Sequence, residues 1–197
     1  AWHHTAAWGT RGYHDFWNGV QAAPGDGPVL PLYQAQHPPL YYLLMSPVYR
    51  WISSAGILTT MNLLRILNLL FLVLATWIFS LLLETLIASP SVRFWILALT
   101  AFFPLYLGNA CRVANDPSAI FWSLLSLLFL FRYLSSGSLP AAVWGALCLG
   151  LGIWSKNTTL AWIPLWLAAL AIRFFRDSDP VSRKKTAVAT AAVFGLW

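Results

Sequence analysis

An all-α, polytopic transmembrane helix bundle is the fold class this sequence predicts, and three observations carry it. Of 197 residues, 59% are hydrophobic and only 9% charged, a balance for which a water-soluble domain has too little interior. The mean hydropathy is +0.66 and tryptophan occurs twelve times, as suits a chain facing lipid and its interface. Apolar runs near residues 60–83, 94–111, 117–134, 139–155 and 159–175 each approach the length that crosses a bilayer, about 20 residues for a helix. A sixth begins near Thr186. The reading is five spans and the start of another, behind an outer loop with short interfacial helices. The domain boundary falls between 1–57, the first extracytoplasmic loop, and 58–197, the bundle. The start without methionine and the stop at Trp197 inside an apolar run read as a segment cut at both ends.

The 1–57 loop carries His3, His4, His14, Asp15, Asp26 and His37. Its "HH" and "HD" neighbours point different ways on any helix, and no Cys-x-x-Cys or His-x-x-x-His accompanies them, so the spacing does not support a divalent metal. In "QHPPLYYLLMSPVYRW", Pro38 and Pro39 suit the first turn of a helix. Tyr41, Tyr42, Tyr49, Arg50 and Trp51 are interface residues, so this helix is expected along the outer membrane surface, with Pro47 breaking or bending it. His37 precedes it, and either projects into the loop or satisfies a backbone carbonyl at the turn.

In "MNLLRILNLL", Asn62, Arg65 and Asn68 stand at i, i+3 spacing and read as one polar stripe facing a cavity on the outer half of the first span. Glu84 at the other end suits cytoplasmic water. In "NACRVANDP", Arg112 ends the second span with a guanidinium that can fork a phosphate or simply snorkel to headgroups. Asn115 and Asp116 follow, with Asp116 a natural N-cap and Pro117 a natural first helical residue; a structural and a functional role for Asp116 suit the sequence equally. In "GLGIWSKNTTL", Gly145, Gly150 and Gly152 permit close helix packing before Lys156, which equally suits lipid phosphate or a site. The sequon at Asn157 to Thr159 lies too near the membrane surface to read as a glycan acceptor. Cys111 and Cys148 lie at different depths, which argues against a disulfide between them.

The net charge of +6 is spread singly except in "RFFRDSDPVSRKK", so it does not point to nucleic acid. With that loop cytoplasmic, the turns at 87–93 and 135–140 fall inside too, beside Arg93 and Arg132. Almost all the chemistry-bearing side chains then gather on the opposite face.

"QHPPLYYLL" closing an outer loop, Arg65 early in the next span, "RVAND" at a later helix mouth and "GLGIWSKNT" before another together resemble the polytopic GT-C glycosyltransferases. The likeness is to bacterial members similar to protein O-mannosyltransferases and aminoarabinose transferases, and runs from about Trp2 to Ile172. It implies a multi-pass cell-membrane enzyme moving a sugar from a polyprenyl-phosphate donor to a lipid, protein or glycan acceptor outside the cytoplasm. It also implies substrate contacts at His3, His37, Arg65, Arg112, Asn115, Asp116 and Lys156. Such enzymes carry an Asp-Glu pair soon after the first span, often followed by histidine, whereas this chain opens "AWHHTAAW". A pair directly before Ala1 would put His3 in that histidine's place; within the sequence Asp15 is the candidate base. A transporter would need buried midplane charges and broken helices in paired halves, and a non-catalytic scaffold would need no cations at the outer helix mouths.

Overall fold

The computed structural model describes residues 38–52, 54, 56–176 and 186–188, all within the unit His37–Trp197. Among them all regular structure is helical: α1 (Leu40–Ile52), α2 (Ile57–Leu86), α3 (Pro90–Ala101), α4 (Pro104–Ala110), α5 (Asp116–Ser136), α6 (Leu139–Ser155), a 3-10 helix (Asn157–Trp162) and α7 (Ile163–Arg176). Three stretches, Ile57–Leu86, Asp116–Ser136 and Asn157–Arg176, are long and apolar enough to cross a membrane, and Leu139–Ser155 is a shorter apolar helix. The outward faces of α1, α2 and α3 carry Trp51, Trp77, Phe94 and Trp95, with Phe102 at the end of α3, all mostly exposed, a surface suited to lipid rather than water.

The expected second span is not one helix. Pro104 has no N–H to donate and pushes the preceding Phe103 into an extended conformation (φ −65°, ψ 127°), so the run divides into α3 and α4. Elsewhere local signals set the ends. Proline stands in the first turn of α3, α5 and α6, where its missing donor costs nothing. Gly137 ends α5 in the left-handed region, φ 67°, and the Arg173 guanidinium lies where its Cβ would be.

The core lies where α5, α6 and α7 meet. Trp166 is wholly buried in the slot left by Gly145; a Cβ there would run into its ring. Its indole N–H donates to Ser126 Oγ at 2.9 Å, and that hydroxyl donates to the Gly145 carbonyl at 2.9 Å. The expected close packing at Gly152 is likewise present, with the Thr159 methyl 2.8 Å from where a Cβ would stand.

One local expectation changes. Pro47 lies inside α1 without ending it. Helix α1 packs on α2 through Tyr41, Met45, Ile52 and Leu64, with its start tied to Asn68 and its end, the Ile52 carbonyl, to Thr60 Oγ1 at 3.0 Å. Those ties make α1 run antiparallel beside the first turns of α2, which at about 1.5 Å per residue is longer than a bilayer core is thick.

Candidate functional site

A cleft of about 370 Å³ opens between α2, α3, α4, α5 and the 3-10 helix. At one edge Lys156 Nζ donates to a carboxylate oxygen of Asp116, both side chains being about a quarter to a third exposed. Local geometry puts them there. Lys156 is the residue on which α6 ends, in an extended conformation, and Asp116 opens α5. The two helix ends are clamped together beneath the pair: Asn115 Nδ2 donates to the Ser155 carbonyl at 3.0 Å, and the wholly buried Ser118 and Ser155 hydroxyls share a hydrogen bond of 3.0 Å. An acid and a cation forty positions apart in sequence are thereby held side by side.

Away from this edge the walls are apolar and aromatic: Phe79, Ala119, Ile120, Leu124 and Trp162, with Thr76, Thr100, Ser123 and Thr158 supplying hydroxyls. Tyr106 Oη lies 2.7 Å from Thr76 Oγ1 and 2.9 Å from the Leu72 carbonyl, which pins α4 to α2 along the cleft. Neither Tyr106 nor Thr76 and Thr100 stood out in the sequence, where a hydroxyl within an apolar run is the trace they leave. Among the described residues no group of His, Cys, Asp and Glu is arranged to hold a metal.

The site residues read from the sequence separate into three sets. Asp116 and Lys156 meet at the cleft. Arg65, Arg112 and Asn115 are not among its lining residues. His3, Asp15 and His37, with His4, His14 and Asp26, lie outside the described residues.

The corrections have physical causes. Asp116 does not cap α5; the N-cap position is held by Asn115, whose side chain makes no cap bond and donates its amide N–H to the Ser155 carbonyl instead. The stripe of Asn62, Arg65 and Asn68 does not face one cavity. Arg65 Nη1 donates to Asn62 Oδ1 at 3.2 Å on an exposed surface, whereas Asn68 is wholly buried. Its amide donates to the carbonyls of Arg112 at 2.7 Å and Ala114 at 3.2 Å, and its oxygen accepts from Tyr41 Oη at 2.9 Å. Burial raises the Tyr41 hydroxyl above its ordinary pKa, against the opposing effect of that bond, so it stays a neutral donor. Arg112 is exposed, and it is its backbone that is held. At the sequon, Thr159 is buried against Gly152.

No family model matches the chain, and no curated protein or solved structure matches it.

Proposed function

We propose that this chain belongs to a multi-pass membrane glycosyltransferase that moves a sugar from a polyprenyl phosphate to a lipid, protein or glycan acceptor on the non-cytoplasmic face. The observation that carries this reading is the placing of the Lys156 and Asp116 pair on the rim of an otherwise apolar cleft. A lipid phosphate presents the same division, charge at one end and hydrocarbon beyond it.

In the proposed reaction the acceptor oxygen forms a bond to the anomeric carbon while the bond from that carbon to the phosphate oxygen breaks, with inversion. Negative charge grows on the departing phosphate, where the Lys156 ammonium offsets it. Asp116 holds the ammonium at the rim until a phosphate competes for it. The acceptor's proton goes to a carboxylate of the outer loop, for which Asp15 is the candidate in this sequence.

Two experiments test the proposal. The protein is reconstituted with radiolabelled polyprenyl-phosphate sugars, and transfer is followed. Lys156→Ala is expected to lower turnover at least about tenfold, since one charge-assisted contact contributes about 1.5–3 kcal/mol, and Lys156→Arg to restore part of it. Parental turnover in folded Lys156→Ala would overturn the role of the cleft. For orientation, the exposed Cys111 lies at the Lys156 end and Ser136 at the other. An impermeant maleimide is expected to label Cys111 on intact cells and to miss Ser136→Cys in a Cys111→Ser background; the reverse pattern would invert the membrane topology.

A further inference from the structure

The end of the bundle remote from Lys156 holds a second recess with a different chemistry. It lies between the last turn of α5 and the first turns of α6, has a volume of about 420 Å³, and includes Phe129, Arg132, Ser136, Ser138 and Trp144 in its lining. Arg132 also lines a neighbouring recess of about 300 Å³ toward Thr85 at the end of α2, so it borders two hollows. Its charge is 5.9 Å from the centre of the Phe129 ring, and among the described residues it makes no ion pair or hydrogen bond through its side chain.

Of the hydroxyls facing this recess, that of Ser138 is uncommitted among the described residues. Ser138 caps α6, yet its hydroxyl makes no cap hydrogen bond. The Ser135 and Ser136 hydroxyls are used on the Arg132 carbonyl, at 3.0 and 2.7 Å. In the first turn of α6 Pro140 has no N–H, the Ser138 N–H is taken by Ser136 Oγ and the Ala142 N–H by the Ser138 carbonyl, which leaves the Leu139 and Ala141 N–H groups without a carbonyl one turn earlier. Below them Trp144 is 57% exposed on the outward face of α6, so the recess continues into an aromatic, lipid-facing surface. A free guanidinium and a free hydroxyl beside a helix start suit a phosphate oxygen, and the adjoining Phe129 and Trp144 suit the acyl chains attached to it.

We propose that the recess at Arg132 and Ser138 binds the headgroup phosphate of an anionic glycerophospholipid. The inference does not rest on the glycosyltransferase reading, because it uses the opposite end of the bundle and none of the residues of the Lys156 cleft. A phosphate held there ties the α5–α6 turn, which Arg173 already braces through Nη1 to the Leu134 carbonyl at 3.2 Å, to the membrane surface.

The test uses the purified protein in mixed micelles containing equal amounts of phosphatidylglycerol and phosphatidylcholine, with retained lipid counted by native mass spectrometry. Phosphatidylglycerol is expected to be retained over phosphatidylcholine by about tenfold. Arg132→Gln is expected to bring the ratio close to one, and Ser138→Ala to lower it by about threefold. Arg93→Gln is the control, since Arg93 lies at the same end but faces Glu84 at 3.9 Å and lines neither recess; the parental ratio is expected. A parental ratio near one, an unchanged ratio in folded Arg132→Gln, or an equal loss in Arg93→Gln overturns the proposal, the last because it shows diffuse attraction to basic charge. Millimolar inorganic phosphate separates the two sources of the anion. Persistence of the lipid supports the headgroup site, and its full displacement makes this a free-phosphate site and removes the lipid from the assignment.

Discussion

Asn68 and Lys156 are both polar groups set within or beside long apolar runs, and the structure gives them opposite surroundings. Asn68 is closed in: wholly buried, with both halves of its amide bonded to the Tyr41 hydroxyl and the carbonyls of Arg112 and Ala114. Among the described residues the Lys156 ammonium has one partner, Asp116, and it stands partly exposed at the edge of a cleft. A polar group in an apolar setting must be satisfied somewhere, and the difference teaches how to tell the two outcomes apart. Full satisfaction by the protein's own backbone marks a joint between segments. A single, partly exposed partner leaves bonding capacity for something that enters.

The comparison breaks most easily at Asn68. Replacement by Leu keeps the volume but strands two carbonyls and a hydroxyl, and is expected to cost about 2 kcal/mol of stability, taking roughly 0.6–1 kcal/mol for each hydrogen bond. The check is faster maleimide labelling of the buried Cys148, in a Cys111→Ser background, on heating in detergent. Unchanged protection of that thiol would show that the Asn68 joint carries no stability.

Lys156→Ala is expected to do the reverse, leaving Cys148 protection close to parental while lowering sugar transfer at least about tenfold, a barrier change of about 1.4 kcal/mol or more. Parallel loss of protection and transfer would reclassify Lys156 as another joint. Tyr41→Phe removes one of the three contacts of Asn68 and is expected to cost about 0.5–1 kcal/mol by the same labelling, with the larger share of the Asn68→Leu effect remaining. Arg112→Ala is expected to do least. Its guanidinium lies outside the cleft lining, so transfer should stay within about twofold of the parent. A tenfold loss there would restore the phosphate fork expected from the sequence and enlarge the site beyond Lys156.

Much of the helical framework was legible because its signals are local. The proline at residue 90, 117 or 140 and the glycine at 137 act on the backbone beside them, and α3, α5 and α6 begin or end where they stand. The break before Pro104 obeys the same rule, but the expectation of one span rested on the continuity of the apolar run from 94 to 111, which reports only that a segment avoids water. Length and hydropathy do not distinguish one helix from two in series. The site was legible in part: Asp116 and Lys156 could each be singled out, but nothing in their own neighbourhoods indicates that they pair.

What the sequence by itself determined, then, is where helices start and stop and which of them carry continuous apolar surface, since both depend on residues within a turn or two. Which polar groups face each other was decided only in the tertiary structure. Successive positions three apart on a helix drift by about 60° around its axis, so Asn62, Arg65 and Asn68 sweep from an exposed face to a buried one. Where that sweep meets α1 and the backbone at Arg112 and Ala114 depends on how α2 is rotated against its neighbours. That rotation is set by side-chain packing between helices distant in sequence, as is the meeting of α5 and α6 at Ser118 and Ser155 that brings Asp116 to Lys156.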